Sequence, residues 1–278
     1  MELSSLVTQL YQFLVMFFFL TSSFFAGACL GTAEELELRV ETKIFSNSND
    51  TPVAHSLTLF RNDITWDFLD TVAGSKQGEI IVHDPNRERL VVLDSALKIK
   101  TELNTIRLKR LGISLAAWAQ KSSNPLMKWA GQHDYADKLE IGEAFIKLDG
   151  PRVQYDVTFT KNSNPKAVAA YRQFADTAIL LKSLMRPGGI PPFPRLAING
   201  QIEKVCGIPT EVKLSIAPKV PLTSGIQLRS THKTHPQLIA GDISRIETAS
   251  AQMSVAELIE LEDFVQKRSE YYSKDFDH

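Results

Sequence analysis

Cysteine is almost missing from this 278-residue chain, which holds only Cys29 and Cys206. Two cysteines cannot make a disulfide framework or a four-cysteine zinc site. Charge of one sign is missing too. Lys and Arg total 31 against 32 Asp and Glu, a net charge of -1. That balance excludes the basic stripe of a nucleic-acid binder and an acidic tail for a charged partner. There is no glycine-rich phosphate loop, no G-x-S-x-G elbow and no H-E-x-x-H helix. No nucleotide or metal cofactor is therefore expected. Repeats of fixed period and low-complexity blocks are absent as well.

The strongest positive signal lies at the amino terminus. Phe13 to Phe25 is uncharged and strongly apolar, and small residues follow: Ala26-Gly27-Ala28, then Gly31-Thr32-Ala33. An apolar core followed by A-x-A is the pattern of a secretory signal, with cleavage before Cys29 or before Glu34. The first twelve residues contain Glu2 and no Lys or Arg. A retained anchor therefore stays open, because Leu10 to Leu30 is long enough to span a bilayer. Ala28-Cys29 fits a bacterial lipobox only loosely, with Ala26 where Leu is usual, so lipidation of Cys29 is the less favoured outcome. The expectation is export to the periplasm or cell envelope. Residues 1–33 read as signal or anchor, 34–270 as one domain and 271–278 as a loose tail. Cys206 has no intramolecular partner and reads as a small buried hydrophobe.

The first half of the domain is strand-like. Glu35 to Phe45 alternates with period two, Leu36, Leu38, Val40, Thr42 and Ile44 sharing one face. Val53 to Phe60 and Ile64 to Leu69 flank Arg61-Asn62-Asp63, a tight hairpin turn. Ile64, Trp66 and Phe68 share a face with Asp67 opposite. Ile80 to Val82 and Leu90 to Leu93 are apolar on both faces, as in strands covered on both sides. Leu97 to Leu103 then returns to strict alternation. The expectation is that helices cover the Ile80–Leu93 region and that any ligand slot lies there.

Helical spacing begins after Asn104, with Leu108, Leu111, Leu115 and Trp118 as the stripe. Asn124-Pro125 opens a short helix carrying Trp129. Leu139 to Leu148 and Val153 to Phe159 read as a hairpin, with Gly142 as a bulge. Asn164-Pro165 starts a long helix with Tyr171, Phe174, Ala178, Leu181 and Met185 inward. After an extended Ile190 to Pro194, strands are expected at Leu196–Ile198, Ile202–Cys206, Glu211–Ile216, Ile226–His232 and Ile239–Ala249. Ser254-x-x-Glu257 reads as a capping box opening a last helix. The fold class is α+β: a curved antiparallel sheet, an unclosed half-barrel, with helices packed on one face.

Candidate chemistry is sparse. His232 and His235 form H-x-x-H, but residues three apart in a strand face opposite sides. Asp67, Asp84 and Asp94 lie near strand ends and read as exposed turn and strand residues. No nucleophile, base and orienting group can be named together, so no enzyme is expected. The aromatic side chains point further. A curved sheet and apolar helices can enclose a slot for an acyl chain, with Trp66, Phe68, Trp118 and Tyr155 as its lining; the alternative is that these rings fill a solid core.

Ile64-Thr65-Trp66-Asp67-Phe68, Ile80-Ile81-Val82-His83-Asp84 and Leu90-Val91-Val92-Leu93-Asp94 form a strand followed by a hairpin with acidic ends. In order and kind, these elements resemble the LolA/LolB-like superfamily of envelope lipoprotein carriers over about a quarter of the chain. The chain also resembles exported bacterial proteins to which no activity attaches. The carrier resemblance implies an export signal, a strand meander in an unclosed barrel, helices as a lid, and an acyl chain or lipoprotein as partner. Three functions stay open: a binding module for a lipid or lipidated partner, a structural or interaction protein of the envelope with a solid core, and a hydrolase with an unrecognised site.

Overall fold

The computed structural model describes residues 36–47, 49–71, 78–132, 134–185, 189–218 and 225–273. The chain divides into two units, 1–35 and 36–278, and the second carries the fold. The expected export signal, the alternative anchor and Cys29 lie outside the described residues. No helix among the described residues is long and apolar enough to cross a membrane.

Twelve strands form one open sheet among the described residues. The first six run as a meander: β1 (Glu37–Ser46), β2 (Ala54–Arg61), β3 (Ile64–Thr71), β4 (Gly78–Asp84), β5 (Arg89–Asp94) and β6 (Ile99–Asn104). Two helices follow, α1 (Thr105–Gln120) and α2 (Pro125–Ala130). The chain resumes at the far edge with β7 (Leu139–Ile141), β8 (Phe145–Gly150) and β9 (Val153–Lys161). After α3 (Pro165–Met185) and α4 (Phe193–Lys204) come β10 (Gly207–Ile216) and β11 (Ile226–His235). The second run builds inward until β11 pairs antiparallel with β1, Thr42 opposite His232. Then come α5 (Ala240–Val255), β12 (Glu257–Leu258) and α6 (Leu261–Ser273). β12 lies parallel to β6 at the other edge; all other neighbours are antiparallel. The expected α+β architecture, with a curved and unclosed sheet, is what forms.

Local chemistry explains the elements that were legible. Asn62 and Asp63, at φ 53° and 59°, make the tight β2–β3 turn, and these residue types tolerate the left-handed region. Asn104, Asn124 and Asn164 each accept hydrogen bonds from the first free backbone N–H groups of α1, α2 and α3.

Several expectations do not hold. The segments expected as strands at Leu196–Ile198 and Ile202–Cys206 lie largely in α4, where Pro194, Ile198 and Ile202 recur every fourth residue and are buried. The expected strand Ile239–Ala249 is α5, in which Asp242 accepts from the Ile239 N–H at 3.0 Å and Ile246 and Ala249 are buried. Their β-branched content suits a strand, but the spacing of what is buried is helical. Ser254 closes α5 and opens nothing: its hydroxyl donates to the Ser250 and Ala251 carbonyls. Gly142 is a turn between β7 and β8, its N–H donating to the Phe145 carbonyl. Cys206 is exposed, in a left-handed turn at φ 54°. Its neighbour Gly207 must be glycine, since a Cβ there would lie 2.7 Å from the Phe159 ring and 2.9 Å from Ile202. The expected loose tail begins inside α6, where Tyr272 is buried; residues beyond 273 lie outside the described ones.

The sheet has an inner face, under α1 to α4 and α6, and an outer face, which α5 also covers. On the outer face Leu59, Trp66, Phe68, Ile80, Val82, Val91 and Leu93 pack against Ile246, Ala249 and Ala256. On the inner face Leu38, Val40, Phe60, Ile81, Leu90 and Val92 meet Leu108, Val168, Phe174, Leu181 and Phe264. A second inner cluster, Ile146, Leu148, Val157 and Phe159 with Trp129, Ile198 and Ile202, fills the β8–β9 end.

Candidate functional site

Between the two inner clusters the sheet is not filled. A cavity of about 760 Å³ lies under α3, over the inner face of β1, β2, β3, β10 and β11. This falls in the range of roughly 300–1,000 Å³ usual for small-molecule sites. Ile44, Leu69, Val212, Leu214 and Leu228 form its floor, and Phe174, Ala175, Ala178 and Ile179 its roof. Gly189 to Pro192 and Arg195 close one side. Trp118, which is 60% exposed, and the exposed Lys182 stand where the lining meets solvent.

The cavity exists because of what the central strands carry inward. Thr42, Ser56, Thr58, Ser230 and His232 are short or polar, so they neither reach α3 nor pack against it. Most satisfy one another. Ser56 and Thr58 donate to Asp67 Oδ1 at 2.5 and 2.7 Å. His232 is hydrogen-bonded to Thr42 at 2.9 Å and to Ser230 at 3.0 Å. Burial raises the Asp67 carboxyl above its ordinary value, against the opposing pull of Lys182 and the two hydroxyls. Burial, reinforced by the charge of Arg195, lowers His232 to about 4, so its ring is neutral near pH 7.

Two of the four expected lining residues, Trp118 and Tyr155, line this cavity. Trp66 and Phe68 do not. Both are buried on the outer face beneath α5, and Arg245 lies over the Phe68 ring at 4.7 Å. The aromatic face of β3 was expected inward, and the register places Asp67 there instead. The slot also lies away from Ile80–Leu93, whose aliphatic side chains pack into the core on both faces. Arg195 and the hydroxyl row escaped the sequence reading, which weighed His232 only as half of an H-x-x-H pair; an inward hydroxyl on alternate residues of three neighbouring strands was the available signal.

The other candidates have separate employment. Asp84 accepts from the Arg87 N–H at 3.2 Å and caps a short turn. Asp94 is fully buried and accepts from Arg268 and from Tyr272, both at 2.9 Å. Arg268 also pairs with Glu79. These aspartates were expected to be exposed; all three are buried and do not form one site. His232 faces the cavity, whereas His235 approaches Glu41 at 3.9 Å. Among the described residues no three His, Cys, Asp or Glu side chains converge as metal ligands would. His133 lies outside the described residues.

No family model and no curated protein matches the sequence. Among solved structures, a LolA superfamily protein from Nitrosomonas europaea is similar at 9% identity, over 76% of this chain and 90% of that one, with a TM-score of 0.25. A superposition of that quality does not bear on function.

Proposed function

We propose that this is an exported, non-catalytic protein of the periplasm or cell envelope that holds the acyl chain of a lipid or lipidated partner in the cavity under α3. The observation carrying this reading is an apolar-lined space of about 760 Å³ under α3. A solid structural protein would lose the dispersion and burial energy that filling such a space provides. Export rests on the Phe13–Ala33 pattern. Trp118 and Tyr155 contribute to the lining, and Trp118 stands where a chain would enter.

Hydrolysis is the second reading, because Ser230 and His232 are hydrogen-bonded in the cavity. The chemistry is poor. Thr42 occupies the place of an orienting carboxylate, and a ring held at about 4 is a weak base at neutral pH. A p-nitrophenyl ester turnover abolished by Ser230→Ala would establish it.

The uncharged dye N-phenyl-1-naphthylamine tests the binding reading. Its fluorescence should rise on mixing with the purified protein. Ala178→Trp, which plugs the roof, should abolish that rise without unfolding the chain. No rise with the folded wild type removes the reading.

A further inference from the structure

The cavity contains a charge with no partner. Arg195 stands at the start of α4 and lines the cavity. It forms no hydrogen bond and no ion pair with any described residue, and its Nη1 is shielded from solvent. Its surroundings do not neutralise it. Burial raises the phenols of Tyr155 and Tyr171, so both remain uncharged. Asp176, the carboxylate whose field reaches it, is already held by Asn199 at 2.7 Å and Arg172 at 3.3 Å. His232 is neutral. Burial accordingly pushes the guanidinium below its ordinary value.

A half-buried cation with no counter-charge is costly, whereas a guanidinium facing a carboxylate or phosphate gains two charge-assisted hydrogen bonds. We infer that the occupant is a single-chain amphiphile ending in a compact anion, its acid group on Arg195 and its chain along Ile44, Ala178 and Leu214. The inference rests on the cavity reading above and gives it a ligand class. Tyr155 and Tyr171 flank the head group, while the apolar floor and roof take the chain.

Displacement of N-phenyl-1-naphthylamine by palmitate, hexadecyl phosphate and hexadecanol tests it, since the three share one chain length and differ in the head. At least one of the two anions should displace the dye at about tenfold lower concentration than the alcohol, the scale of a hydrogen bond to a charged group. Which anion wins separates a free fatty acid from a phospholipid-like head. Arg195→Gln should reduce the preference to about threefold or less, and Arg195→Lys should keep part of it. Equal displacement by all three overturns the inference and leaves the cavity reading intact. A preference that survives Arg195→Gln overturns the role of Arg195. Failure of the dye to bind at all is failure of the cavity reading. If Arg195→Gln does not fold, the wild-type series still decides the head group.

Discussion

The β4–β6 wing and the β3–β2–β1–β11–β10 centre belong to one sheet, yet they are built for opposite ends. In the wing, Ile81, Leu90 and Val92 face inward and Ile80, Val82, Val91 and Leu93 outward, and helices cover both faces. In the centre, the inward positions include Thr42, Ser56, Thr58, Ser230 and His232 beside Ile44, Leu69, Val212, Leu214 and Leu228. Both regions take the same backbone pairing. The difference is volume: branched aliphatic chains reach the covering helix, and hydroxyls do not. Each region also has its own half-buried arginine. Arg268 is clamped between Glu79 and Asp94, whereas Arg195 has nothing.

The largest expected effect breaks the wing. Arg268→Ala leaves Glu79 and Asp94 buried without their cation. Only Tyr272 and the Ala96 and Leu97 N–H groups still hold Asp94. Removing one partner of a buried pair costs about 3–5 kcal/mol, to be read as a lowered urea midpoint. Arg195→Gln removes a charge that no pair compensates, so its midpoint should equal or exceed that of the wild type. If both variants fall alike, the contrast between the two arginines is wrong.

A second, smaller effect contrasts the packing. Val92→Trp forces a larger ring into the filled wing and should cost about 1–3 kcal/mol or more. Ala178→Trp places the same ring in the cavity roof, where space exists, and should leave thermal stability nearly unchanged. Paired melting curves check this. Equal destabilisation would mean that the space under α3 is not open in solution.

This contrast also shows how much of the molecule could be read beforehand. The meander β1 to β6, the three asparagine caps and the hairpin at Asn62-Asp63 follow from period and turn chemistry. What period cannot show is which face of a doubly covered strand looks at a cavity. Trp66 and Phe68 on one side of β3 and Asp67 on the other are all buried, so hydrophobicity assigned the aromatic side to the slot and was misled. The helices α4 and α5 were missed for a related reason. Leu196, Ile198, Ile239 and Ile243 are β-branched or apolar enough to read as strand, and only packing selects the helical spacing. Arg195 could not be found at all, because its meaning lies in what is absent around it.

The smallest effect concerns Asp67, the acid that does sit in the centre. Burial raises its folded-state carboxyl above the unfolded value. Between the two values the folded state holds a proton that the unfolded state has lost. Stability therefore falls as pH rises through that window, and the favourable contribution is complete only below the unfolded value. Asp67→Asn keeps an acceptor for Ser56 and Thr58 and abolishes the ionisation. The melting temperature of the variant minus that of the wild type should then grow more positive from acid towards neutral pH. Other carboxylates common to both proteins cancel in that difference. A difference that is flat with pH would mean that Asp67 ionises as freely as on an ordinary surface, and one that shrinks on going to neutral would mean that the fold favours its charged form.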